Sequence, residues 1–156
     1  MTEADFKKLV EENKGRIYSV CFMFASDADG ANDLFQEVLL NLWKGCESFR
    51  GQSSVGTWVY RVALNTCINA RKRRRLRTVP LDININLYED EDAVSQQSRE
   101  LYRRIHRLEI FDRAIVLLWL EGLQYQEIGE IVGISAGNVG VRLTRIREQL
   151  KKMNDE

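Results

Sequence analysis

An all-α chain is what this sequence predicts: an N-terminal bundle of three to four helices and a C-terminal four-helix domain with a helix-turn-helix, joined by an acidic linker. Three features carry that reading. The 156 residues contain one proline, Pro80, where ordinary usage near 5% would give about eight. Proline removes a backbone donor and clashes with the preceding turn, so its scarcity favours uninterrupted helices. Apolar residues recur at three- and four-residue steps along most of the chain. The formal net charge of zero, 23 basic against 23 acidic groups, averages unlike parts: +4 over residues 1–77, −5 over 78–98 and +1 over 99–156.

The first helix opens at Thr2, which forms a capping-box pattern with Asp5, and carries Phe6, Leu9, Val10, Ile17, Cys21 and Phe24 at helical spacing. The second starts at Ser26-Asp27-Ala28-Asp29, with acids at the positive end of the helix dipole, and its apolar stripe is Ala31, Leu34, Phe35, Val38, Leu39 and Leu42. Gly45 and the stretch Phe49 to Ser54 read as a loop. A third helix follows from about Val55 to Arg75, with Trp58, Val62, Cys67 and Ala70 expected inward. Residues 78–98 hold no base, five acids (Asp82, Glu89, Asp90, Glu91, Asp92) and Pro80, and read as a linker whose Ile83, Ile85, Leu87 and Tyr88 dock in part.

The second domain begins near Ser98. Leu101, Ile105 and Leu108 mark one amphipathic helix, and Ile115 to Leu120 a nearly continuous apolar, buried one closed by Glu121-Gly122-Leu123. A short helix from Tyr125 to Val132 ends at Gly133, and the last starts at Ser135. Its inward face, Val139, Leu143, Ile146 and Leu150, steps by four, three and four.

Composition excludes several classes. A hydrophobic fraction of 44% and a charged fraction of 29% describe a globular chain. No apolar run approaches the ~20 residues that span a bilayer, and the N-terminus lacks a signal peptide's basic and apolar regions. A cytoplasmic protein without membrane insertion is expected. The three cysteines are widely spaced without a Cys-x-x-Cys pair, so neither a disulfide framework nor a zinc site is expected. They read as buried or inert thiols, and the single histidine, His106, as a helix-surface residue. No catalytic constellation, metal or cofactor is anticipated.

Two helices of unequal length joined by Gly133-Ile134-Ser135 form a helix-turn-helix, whose second helix enters the major groove. With 139/143/146/150 buried, Asn138, Val141, Arg142 and Arg145 point outward. Ser135 is the N-cap, and the small Ala136 and Gly137 leave amide donors open to a phosphate. The bland alternative is an αα-hairpin that merely packs. Upstream, Arg71-Lys72-Arg73-Arg74-Arg75-Leu76-Arg77 places six cations in seven residues, after a helix displaying Arg61, Asn65 and Asn69. Phe49, Trp58 and Tyr60 lie just before. Cations beside aromatics suit single-stranded nucleic acid, since stacking contributes roughly 1–3 kcal/mol per base. Trp58 shares the face of Val62 and so shapes that site from the core. The polar side of the second helix, Asp33, Gln36, Glu37, Asn41 and Lys44, is by itself a solvated face.

Together these residues resemble a bacterial RNA polymerase sigma factor of the extracytoplasmic-function group. Asp33-Leu34-Phe35-Gln36-Glu37-Val38-Leu39-Leu40-Asn41-Leu42-Trp43 is similar to that family's helix that docks on the polymerase clamp coiled coil. Phe49-Arg50-Gly51 with Thr57 to Asn65 is similar to its promoter-melting, −10-reading segment. Gly122 to Gly129, including Tyr125, and Gly137-Asn138-Val139 to Arg147 are similar to its −35-reading helix-turn-helix. The resemblance implies domains at 1–77 and 99–156 around a 78–98 linker. It implies a non-enzymatic specificity subunit that binds core polymerase at the clamp and flap and engages promoter DNA as duplex and as non-template single strand. Asp33, Leu34, Gln36, Glu37 and Asn41 would then contact polymerase. Phe49, Arg50, Ser53 and Ser54 would surround a flipped −10 base, with Arg61 and Asn65 beside it. The acidic linker would run toward the RNA exit path, and an anti-sigma partner is a family expectation. Where many relatives carry Lys or Arg after the recognition-helix valine, this chain has Gly140, which either removes a contact or permits closer backbone approach. The rival reading is a stand-alone helix-turn-helix regulator with a partner-binding N-terminal bundle.

Overall fold

Thr2 opens α1 (Glu3–Phe24) with a reciprocal cap: its hydroxyl accepts from the Asp5 amide at 3.1 Å, and the Asp5 carboxylate accepts from the Thr2 amide at 3.1 Å. Asp27 caps α2 (Ala28–Gly45) by accepting from the Gly30 amide. Ser54 caps α3 (Val55–Leu76) through the Thr57 amide at 3.1 Å. Four more helices follow: α4 (Gln96–His106), α5 (Ile110–Leu120), α6 (Tyr125–Val132) and α7 (Ala136–Met153). This computed structural model describes residues 1–76 and 96–153, with side chains for 1–73 and 100–153. The described residues are all helix, turn and loop. The reading of 78–98 as an acidic linker falls almost wholly outside them, as do Arg77 and the side chains of Arg74 and Arg75. The chain divides into two compact units, Met1–Asn84 and Ile85–Glu156.

In the first unit each of α1, α2 and α3 packs on the other two. Ile17, Val20 and Cys21 of α1, Ala31, Val38 and Leu42 of α2, and Val59, Ala63 and Cys67 of α3 fill the core. The inward face of α3 differs from the expected one. Val59, Tyr60, Ala63, Leu64 and Cys67 are buried, whereas Trp58, Val62 and Ala70 are only half-buried. A helix wedged against two neighbours buries a wide arc, and that arc is centred about one residue later than a single stripe through Trp58 suggests. The Cys21 and Cys67 thiols meet in this core.

In the second unit α5 is the central helix, with Arg113 to Leu118 buried. Trp119 and Leu120 are exposed, at 36% and 45%, so the expected burial to Leu120 stops two residues short. Arg113 is fully buried: its guanidinium donates to the His106 and Leu108 carbonyls, tying down the α4–α5 turn. That turn also encloses His106, which is 7% exposed and not on the surface as expected. Its helix ends there and the chain curls back, so burial follows the turn and not the helical wheel.

The α6–α7 turn matches its sequence signature. Gly133 has φ 85°, a left-handed conformation that only glycine adopts without strain. The amides of Gly133 and Ile134 both donate to the Gly129 carbonyl, at 2.8 and 3.1 Å. The chain crosses so closely that a Cβ at Gly129 would stand 2.4 Å from the Ile134 carbonyl oxygen. Val139, Leu143 and Ile146 seat α7 on the core, and Leu150 is half-buried.

Candidate nucleic-acid interface

Within the first unit, the α2–α3 loop is built by local hydrogen bonds. The Ser48 and Phe49 amides return to the Gly45 carbonyl at 3.1 and 3.2 Å, and Gly51 takes φ 74°. The Arg50 amide donates to Gln52 Oε1 at 2.9 Å. This geometry lays Phe49 on Trp58, ring centroids 4.8 Å apart and planes at 23°. One face of the pair is thus made by the other, and both rings remain half-exposed at the loop. Arg50 and Ser54 are exposed and Ser53 half-exposed beside them.

Tyr60 does not join this surface. It is 3% exposed, on the inner arc of α3, with the Arg16 guanidinium 5.9 Å from its ring centroid. It is a core residue and not, as its place among the aromatics before the basic run suggests, a DNA contact. Arg61, Asn65 and Asn69, four residues apart, form an exposed stripe along α3 and continue into exposed Lys72 and Arg73, with Arg71 half-buried.

On α2, Asp33 and Gln36 are exposed and Glu37 is half-buried. Leu34 is 7% exposed and belongs to the core, so it is removed from the contact face. Asn41 is not a free surface amide: its Nδ2 donates to Thr66 Oγ1 on α3 at 2.9 Å, and Thr66 donates on to the Val62 carbonyl at 2.7 Å. Leu40 and Trp43, inside the stretch that resembles the polymerase-docking helix but outside its polar contact set, are exposed at 52% and 44%, with Trp43 edge-on to Phe6 at 5.0 Å. Their signal was present, because both fall outside the 31/34/35/38/42 stripe.

Within the second unit, Ser135 Oγ accepts from the Asn138 amide at 3.1 Å and caps α7. Asn138, Val141 and Arg145 are exposed, and Gly137 leaves its surroundings open. Arg142 departs from expectation: it reaches Asp112 of α5 at 3.2 Å and lies over the Phe111 ring at 4.7 Å. Asp112 gave no sequence signal of this role, since the pairing spans 30 residues. Tyr125 packs on Gly140, where a Cβ would stand 3.3 Å from its ring.

These units have recognisable counterparts. Residues 9–77 match the family model "Sigma-70 region 2" and residues 98–150 match "Sigma-70, region 4". The chain is therefore in the class of sigma-70 transcription initiation proteins. It is 31% identical over 162 residues to the ECF RNA polymerase sigma-E factor of Haemophilus influenzae, covering 94% of this chain and 85% of that relative. It is 30% identical to ECF RNA polymerase sigma factor SigW of Bacillus subtilis, covering 94% and 87%. The sigma factor RpoE of Bartonella quintana, solved in complex with the anti-sigma factor NepR, shares the fold at a TM-score of 0.73 and 21% identity, over 97% of each chain. The chain belongs to the extracytoplasmic-function group of the sigma-70 family. It is a promoter-recognising RNA polymerase sigma factor, not an enzyme, and the stand-alone regulator gives way to that reading. No helix among the described residues is long and apolar enough to cross a membrane.

Proposed function

We propose that the two units divide the promoter between them. In this reading residues 1–77 bind the polymerase clamp coiled coil and open the −10 element, residues 99–156 read the −35 element and meet the flap, and 78–98 connect them along the RNA exit path. The single observation that carries the assignment is the Phe49–Trp58 stack beside the exposed Arg61, Asn65 and Asn69 stripe. A stacked aromatic wall at a loop, with amides and cations leading away along one helix, offers an extruded base a partner and its backbone a neutralised track. Arg50, Ser53 and Ser54 surround the base, and Arg71, Lys72 and Arg73 follow the strand, together with Arg74 and Arg75. Opening needs no hydrolysis, because affinity for the unpaired non-template strand shifts the duplex equilibrium.

Polymerase is held on α2 by Asp33, Gln36 and Glu37, with Leu40 and Trp43 adding the apolar contact that such an interface needs at its centre. Asn41 supports that face through Thr66. An anti-sigma partner would cover the same helix; the RpoE complex with NepR supports the class of partner and leaves its identity open. At −35, Ser135 and Gly137 offer amides to phosphate, and Asn138, Val141, Arg145 and Tyr125 face the groove.

Run-off transcription with purified core polymerase and a promoter library, this chain being the sole specificity factor, tests the proposal. Asn65→Ala is expected to slow −10 opening more than it weakens duplex binding. Equal loss of both would remove the role given to the α3 stripe.

A further inference from the structure

The groove-facing side of α7 carries fewer polar groups than its sequence implies. Arg142 leans onto α5, 3.2 Å from Asp112 and over the Phe111 ring, with 41% of its side chain still exposed, so its guanidinium is shared between the domain and the surface. Gly137 and Gly140 have no side chain, and the Tyr125 ring closes over Gly140. The exposed side chains that share one line in the first turns are Asn138, Val141 and Arg145. At i, i+3 and i+7 they fall within an arc of about 60°. Val141 is the middle member and is 51% exposed.

A single exposed valine carries no message by itself. This one stands between an amide and a guanidinium on the recognition face, with glycines at 137 and 140 in place of long side chains that would cover it. It can neither donate nor accept, so it cannot read a polar base edge. The apolar feature that bases present in the major groove is the C5-methyl of thymine.

Resting on the −35 reading above, we propose that Val141 selects a thymine methyl in the −35 element, flanked by polar readout from Asn138 and Arg145. Asn pairs best with adenine N6 and N7, and Arg with guanine O6 and N7, so the thymine lies at a step between or opposite those contacts. Arg142 is then a strut that sets the pitch of α7 on α5 and does not read a base.

The test uses holoenzyme assembled from core polymerase and the full chain, with promoter duplexes in which each −35 thymine of either strand is replaced singly by deoxyuridine. That replacement deletes the methyl and keeps the pairing. One replacement is expected to weaken binding about fourfold, the value of one buried methyl. Val141→Ala, at an exposed helical site where alanine is the better helix former, should lose less affinity on the uracil replacement than the wild type does, because its shorter side chain buries less of the methyl. No sensitive thymine, or undiminished sensitivity in Val141→Ala, overturns the proposal. Scrambling the whole −35 element separates the two levels. If wild-type affinity ignores the scramble, the −35 reading fails and the proposal with it; if affinity falls while uracil has no effect, the methyl reading alone fails.

Discussion

The guanidinium of Arg73 on α3 lies 2.8 Å from the Glu37 carboxylate on α2, so two side chains assigned to different partners, DNA and polymerase, hold each other in the free protein. The pair is substantially exposed, which limits its contribution to stability to about 0–1 kcal/mol. Its consequence lies in binding. Docking α2 on polymerase would engage Glu37 and release Arg73 toward the DNA backbone. Glu37→Gln is expected to steepen the salt dependence of DNA binding by the free chain by about one unit of log–log slope, one added phosphate contact. Thermal stability should barely move. An unchanged slope would mean that Arg73 meets DNA regardless of Glu37.

The Asp112–Arg142 contact predicts the reverse pattern at the other end of the chain. Arg142→Ala should lower the stability of the second unit by about 1 kcal/mol, through lost packing on Phe111 and the lost ion pair, and leave −35 discrimination nearly intact. Asp112→Ala frees a cation next to the groove. It should raise affinity for scrambled −35 duplexes more than for the cognate one, narrowing the specificity ratio. Competition binding on the two duplexes measures this directly.

How much was legible beforehand depended on whether the signal was local. The α6–α7 turn was readable because Gly133 and Ser135 report their own backbone geometry, a left-handed residue and an N-cap. The inward face of α7 was readable because one stripe meets one core. α3 lies against two helices, so periodicity alone does not place its buried arc, and Tyr60 falls in the part of that arc which a single stripe leaves to solvent. His106 and Arg113 are buried by a turn whose carbonyls Arg113 satisfies, a tertiary arrangement without a local pattern. The contacts of Asn41 with Thr66 and of Arg142 with Asp112 leave no mark in the sequence, because a polar residue on a helix face reads the same whether it meets water, DNA or a neighbouring helix.

Cys67 gives a prediction in pH. Its hydrogen bond with the Cys21 thiol, and then its burial, push its pKa well up from the ordinary thiol value of 9.0. The folded chain therefore keeps this proton through the range where an unfolded thiol ionises. Stability contributed this way is complete below about pH 8.5 and declines as pH rises above it. Urea midpoints measured from pH 8 to 10 should fall, and fall less in Cys67→Ala, once its lower starting stability is subtracted. Parallel slopes in the two proteins would show that other groups set the decline.

Gly129 should not tolerate a side chain. A Cβ there meets the Ile134 carbonyl oxygen at 2.4 Å, and that carbonyl belongs to a turn already fixed by two hydrogen bonds to Gly129 itself. Neither backbone can yield without breaking them. Gly129→Ala is expected to destabilise the second unit by about 2 kcal/mol or more despite alanine's better helix propensity. Chemical denaturation followed through Trp119 fluorescence reads it, and a stabilised variant would show that the turn opens at little cost.

Gly140 behaves differently because its neighbour can move. Here the added Cβ meets the Tyr125 ring at 3.3 Å, the end of a side chain that is 41% exposed and free to shift by a few tenths of an ångström. Replacing a helical glycine by alanine gains about 1 kcal/mol, so Gly140→Ala should be neutral to stabilising by up to about that amount. The displaced ring is the more informative readout. If Tyr125 is held on the recognition helix by the gap at 140, Gly140→Ala and Tyr125→Ala should be non-additive in −35 affinity, with the first substitution mattering only while the ring is present. Gly140→Lys goes further: it evicts the ring and installs a cation at the groove, so binding to every duplex should strengthen while the ratio of cognate to scrambled falls. Additive behaviour across the Tyr125–Gly140 cycle would instead place the ring's effect on DNA, independent of the space the glycine leaves.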